Sequence, residues 1–169
     1  MRALAEFIMK GRLQAVAVAG LGVGTLVFAW VGVAAAVLVL LRKGLAEGAY
    51  VVFWALLPAI AVATIGADVG PLAMLLGASA SALVLRNTQQ WSNALVTAAA
   101  VGLFSALLLT QFANAYLVSV LELVQPMLQQ MQASAPGAFP EITTGDVAAL
   151  IGVSAVLWST LAVMLGRWW

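Results

Sequence analysis

Residues 13–41 read LQAVAVAGLGVGTLVFAWVGVAAAVLVLL, a run with no charged side chain, closed by Arg42 and Lys43. The run is long for one membrane crossing and short for two. One helix crossing ~30 Å of hydrocarbon takes about 20 residues, and two take about 40. How it folds decides where everything before it lies. As one crossing, it separates Arg2, Lys10 and Arg12 from Arg42, Lys43, Arg86 and Arg167 by the membrane. As a hairpin, it gathers all seven Lys and Arg residues on one side. Lys and Arg collect on the cytoplasmic side of membrane proteins, so the hairpin is the better reading. Each arm is then only ~21 Å long, which calls for local thinning, a re-entrant loop buried in protein, or support from neighbours. Gly20, Gly22 and Gly24 can supply its turn or a close helix contact.

The composition agrees with a bilayer environment. Of 169 residues, 64% are hydrophobic and 8% charged, with a mean hydropathy of +1.11, whereas roughly a quarter of the residues in soluble domains are charged. Several further apolar stretches approach helix-crossing length, and the short alternating segments of a porin-type barrel are not visible. The sequence therefore predicts an all-α polytopic helix bundle in a membrane. A net charge of +1 gives no long-range attraction for nucleic acid. The chain has no His and no Cys, which removes the usual ligands of zinc, haem and iron–sulfur clusters and the thiol and Ser–His nucleophiles. No cofactor, metal site or enzymatic activity is expected. Glu6 and Lys10 interrupt the N-terminal stretch, which does not read as a cleavable signal peptide.

Along the chain, Arg2, Glu6 and Lys10 recur at helical spacing opposite Leu4, Phe7 and Ile8, predicting a short interfacial amphipathic helix over residues 1–12. Ala49–Ala67 reads as a span kinked, not ended, by Pro58. Asp68-Val69-Gly70-Pro71 reads as a turn, and Pro71–Leu85 as a returning segment. Asn87–Asn93 is a polar connector carrying Trp91, and Ala94–Leu121 a single span. Residues 122–146 hold Glu122, Glu141 and Asp146 without Lys or Arg, and read as an external loop with a helical beginning. Thr143 with Asp146 resembles a capping pair for a last helix, Val147–Leu165, followed by the interfacial anchor Arg167-Trp168-Trp169. Of the six Trp residues, most suit the headgroup belt, while Trp30 and Trp54 are expected deeper, as core. The sum is six membrane segments, the first two short, with both termini cytoplasmic.

Ionisable residues at membrane depth are functional suspects, and between Leu13 and Leu165 the charges fall at segment ends or in loops. Coupled proton transport is disfavoured on that ground. Asp68 in the outer turn, with Gln111 and Asn114 three apart near the outer end of their span, is the candidate solute-binding cluster. Water or neighbouring backbone could equally satisfy all three. The small-residue pairs Ala15/Ala19 and Gly20/Gly24 are candidates for docking a partner subunit, against the plainer reading of internal packing.

The opening Met1–Arg12, the run Ala55-Leu56-Leu57-Pro58-Ala59 and the closing Leu165-Gly166-Arg167-Trp168-Trp169 resemble the YybS-like family of uncharacterised bacterial inner-membrane proteins. Members of that family have been likened to the substrate-binding S subunits of energy-coupling-factor transporters. The resemblance implies six helices, an outward-facing ligand pocket, and an Ala-x-x-x-Ala contact to a coupling subunit, for which Ala15 and Ala19 are the matching pair. Relatives usually continue past the Trp-Trp with a further segment. Two functions follow as expectations: a small-molecule-binding transporter subunit of S-subunit type, or a non-catalytic structural or assembly subunit. Expected partners are the lipid bilayer, other membrane protein subunits and a small-molecule solute.

Overall fold

The computed structural model describes residues 2–65, 68–134 and 142–169, and these residues form eight α-helices and no strand. Residues 12–42 fold as a helical hairpin. Its arms are α2 (Arg12–Gly24, 13 residues) and α3 (Ala29–Arg42, 14 residues), joined through Thr25 and a 3-10 turn over Leu26–Phe28. At 1.5 Å per residue each arm is ~20 Å long. Gly22 and Gly32 serve the contact between the arms, while Gly20 and Gly24 lie against Pro58 of the helix that follows the hairpin. A Cβ on Gly32 would meet the Val23 nitrogen at 2.5 Å and the Ala19 carbonyl oxygen at 2.6 Å. With two helix backbones so close, dispersion contacts replace the missing side-chain bulk.

Preceding the hairpin, α1 (Arg2–Lys10) buries Ala5 and Ile8 against α2 and α3 and leaves Phe7 exposed. It ends before Gly11, so Arg12 opens α2 instead of closing α1. Beyond the hairpin come α4 (Leu45–Ile65), α5 (Gly70–Thr88), α6 (Trp91–Phe112), α7 (Asn114–Ser134) and α8 (Thr144–Trp168). Pro58 lies inside α4 without ending it. The polar connector before α6 shrinks to Gln89 and Gln90, because α5 runs on to Thr88.

Helix α3 is the centre of the bundle. From Gly32 to Leu40 every residue is buried, enclosed by α2, α4, α5 and α8. Its neighbours approach through small residues. Gly48 of α4 sits on Leu40, and Gly166 of α8 on Val37 and the Ala34 carbonyl. Gly77 of α5 sits on Ser159 of α8, and Gly102 of α6 on Gly152 of α8. The Ser159 hydroxyl also donates to the Met74 carbonyl at 3.2 Å, which ties α8 to α5 inside the core.

Three helices, α4, α6 and α8, are long and apolar enough to cross a membrane. Their outward faces carry Phe53, Leu57, Leu103, Phe104, Leu157 and Leu161, all exposed. Large apolar side chains exposed along helices of this length suit hydrocarbon, not water.

The hairpin and the returning helices bring the basic residues to one end. Arg12 pairs with Glu47 through both guanidinium and carboxylate edges, and Arg42, Arg86 and Arg167 line one hollow. The opposite end is closed by a smaller core in which Leu117 of α7 packs with Leu109, Val147 and Ala148. Here one expectation is corrected. The stretch 94–121 is not one helix, because the backbone breaks at Ala113 (φ −127°, ψ 35°) and α7 starts afresh at Asn114. The helical beginning expected for residues 122–146 runs to Ser134, and the expected break over Ala133–Pro140 lies largely outside the described residues. The Thr143–Asp146 pair forms a full capping box, with Thr143 N–H donating to the Asp146 carboxylate at 2.8 Å and Asp146 N–H to Thr143 Oγ1 at 3.3 Å. These bonds satisfy otherwise orphaned donors at the start of α8.

Candidate functional site

The short hairpin leaves space beyond its tip. Its arms stop about 10 Å short of the far end of α4, which has 21 residues. A cavity of about 350 Å³ occupies the position above them, walled by Val27, Ala29 and Trp30 from the hairpin, by Asp68, Gly70, Pro71 and Met74 around the start of α5, and by Ser154, Ala155 and Trp158 from α8. Ala29, Met74 and Ser154 lie at similar distances along their helices from Arg42, Arg86 and Arg167. The cavity is therefore ~20 Å from the basic end, measured along the helices.

Local sequence explains each wall. Pro71 in the first turn suits the start of α5, where its missing N–H would have no partner in any case. Asp68 Oδ1 accepts the Gly70 N–H at 2.8 Å, an Asx-type bond that holds the carboxylate at the mouth of that helix. Ser154 and Trp158 are four residues apart and share one face of α8. Trp30 is the second residue of α3, at the point where the chain leaves the hairpin turn.

The electrostatics of the cavity are one-sided. Among the described residues the only ion pair is Arg12–Glu47, at the other end of the bundle, so no basic side chain compensates Asp68. Its charge is felt by Tyr116 of α7, whose phenol is pushed above its ordinary value first by burial and second by Asp68, while the Val69 backbone draws it partly back. Trp30 and Trp158 line the same space, and their indoles carry electron-rich faces. A carboxylate and two indoles favour a cation with apolar substituents. A volume near the low end for ligand pockets sets the size of such a ligand to that of a small solute.

Of the residues singled out from sequence, Asp68 lines this cavity; Gln111 and Asn114 do not, and both are exposed beside the break at Ala113. Ala15 and Ala19 are 1% and 0% exposed, inside the chain's own core. Gly20 and Gly24 face Pro58 of α4 at ordinary contact distance. Trp30 and Trp54 are not core, being 36% and 42% exposed. Met74, Ser154 and Trp158 gave no sequence signal as a group, since each lies in an apolar helix at a position that packing alone would explain. Among the described residues no three carboxylates gather in a way that would hold a metal ion.

Compared with known proteins, the chain matches no family model, no curated protein and no solved structure.

Proposed function

We propose that this chain is a multi-pass protein of a bacterial inner membrane that captures a small organic cation from outside the cell in the cavity above the hairpin tip. In this reading the hairpin arms, α4, α5, α6 and α8 are six membrane segments, and the basic end and both termini face the cytoplasm. The observation that carries it is the uncompensated Asp68 carboxylate, which shares a cavity of about 350 Å³ with Trp30 and Trp158. The positive-inside rule places that cavity toward the exterior. Transfer of the solute to partner subunits, as in the S subunits that the YybS-like family has been likened to, belongs to the same proposal. Ala15 and Ala19 are buried in the chain's own core, so neither an assembly subunit nor an S-type subunit would dock a partner through them, and the solute reading rests on the cavity alone.

The test is a titration of the detergent-solubilised protein with benzyltrimethylammonium and its uncharged isostere neopentylbenzene, followed by tryptophan fluorescence. The cation is expected to quench saturably and the isostere to bind at least about tenfold more weakly, because a desolvated charge over an indole contributes ~2 kcal/mol. Asp68→Asn keeps the acceptor for Gly70 and is expected to remove the preference. Equal binding of cation and isostere, or no saturable quenching by either, overturns the proposal.

A further inference from the structure

The basic end holds a second hollow, of about 190 Å³, whose rim is made by arginines from three different helices: Arg42 at the end of α3, Arg86 at the end of α5 and Arg167 at the end of α8. Leu85 contributes to its apolar wall, and Gln89 completes the polar side. Gln89 adopts a left-handed backbone (φ 54°), a conformation that favours glycine, at the C-cap of α5. Its amide donates to the Arg86 carbonyl at 2.8 Å and so holds the side chain at the rim.

The three arginines are not used up by one another's surroundings. Arg86 Nη1 donates to the Leu40 carbonyl at 2.8 Å, closing the end of α3, and its other N–H groups remain available. Arg167 lies over the Trp91 ring at 5.4 Å, a contact that orients the guanidinium without neutralising it. Arg42 is exposed. Among the described residues none of the three has a carboxylate partner. Three helix C-termini contribute only about half a negative charge each, so they offset about half of the three positive charges. Guanidiniums left in such proximity repel one another until an anion joins them. Arginine forks match phosphate oxygens in pairs, which a point-charge lysine does not.

We infer that this hollow binds the phosphate of an anionic phospholipid headgroup. The depth argues for a lipid over a phosphate from solution. Trp91 begins α6 and Trp168 ends α8 at the same end of the bundle, and tryptophans of this placement mark the headgroup level. Basic pockets between helices at that level recognise anionic headgroups.

The experiment is native mass spectrometry of the full chain in mild detergent doped with phosphatidylglycerol or with phosphatidylcholine of the same chain length. The wild-type protein is expected to retain phosphatidylglycerol selectively. The exposed-residue double variant R42Q/R167Q is expected to lose that selectivity by roughly tenfold or more, each arginine contributing a few-fold at a membrane surface. Lys10→Gln removes a charge at the same end without touching the hollow and is expected to keep the selectivity. A thermal melt accompanies each variant, so that a lost lipid is not confused with a lost fold. Competition with inorganic phosphate separates the two sources of the anion, and the lipid is expected to resist displacement. Wild-type selectivity in R42Q/R167Q, equal loss in Lys10→Gln, or displacement by inorganic phosphate at concentrations comparable to the lipid each overturns the inference. The hollow is at the opposite end from the solute cavity, so neither outcome depends on the other.

Discussion

Gly22 and Gly32 face each other across the hairpin so closely that a Cβ built on Gly22 would lie 2.6 Å from the Gly32 Cα. The consequence is a pair of contrasting substitutions. Gly32→Ala forces two helix backbones apart and is expected to lower stability by ~1–3 kcal/mol, the usual penalty of overpacking. Gly20→Ala places its methyl no closer than 3.9 Å to Pro58, and is expected to leave stability unchanged or raise it by up to ~1 kcal/mol through helix propensity. Thermal unfolding in detergent measures both. Equal effects of the two substitutions would show that the hairpin arms do not meet at Gly32.

The Thr143–Asp146 box fastens the start of α8 to the end away from the arginines. Thr143→Ala removes the hydroxyl that accepts the Asp146 N–H, and is expected to weaken the helix start by ~0.5–2 kcal/mol. Hydrogen exchange reads this locally, as faster exchange of the first amides of α8 with the centre of the helix unchanged. Uniform acceleration along α8 would contradict a capping role.

Tyr116 reports on Asp68 from outside the apolar spans. Its phenol is raised above its ordinary value of 10.0 by burial first and by the Asp68 charge second. A raised folded-state pKa means that the protonated phenol contributes stability fully at pH below about 10, and that this contribution is lost as pH rises through the folded value. Absorbance titration in a Tyr50→Phe background isolates Tyr116. Asp68→Asn is expected to bring its ionisation to lower pH. An unmoved midpoint would mean that the two groups do not sense each other.

Much of this architecture was legible in the spacing of Lys and Arg. The uncharged run from Leu13 to Leu41 could satisfy all seven basic residues only by turning back, and it does turn back, at Thr25–Phe28. Asp68 was legible as the polar residue of the turn before α5. The rest of the cavity was not, because Trp30 and Trp158 carry the same apolar signature whether they face lipid, core or ligand. The break at Ala113 was hidden for a related reason: Phe112-Ala113-Asn114-Ala115 contains no Gly or Pro, and the hydrophobic run continues across it. Gln111 and Asn114 share a face only on an unbroken helix, and the break at Ala113 lies between them. The small-residue pairs were ambiguous from sequence, since Ala and Gly serve an internal helix contact and an external one equally well. Only the position of α4 over Gly20 and Gly24, and of the core around Ala15 and Ala19, distinguishes the two.

The hairpin that stops short of the far end is the feature on which the cavity, the arginine hollow and the sidedness all depend, and its sidedness is directly measurable. The native chain has no cysteine, so single replacements at Lys10, Asn87 and Gln125, all exposed, can be labelled in oriented membranes with an impermeant maleimide. The account predicts that Lys10→Cys and Asn87→Cys label from the same side and Gln125→Cys from the other. Labelling of Lys10→Cys from the side of Gln125→Cys would mean that residues 13–41 cross once, and would contradict the hairpin.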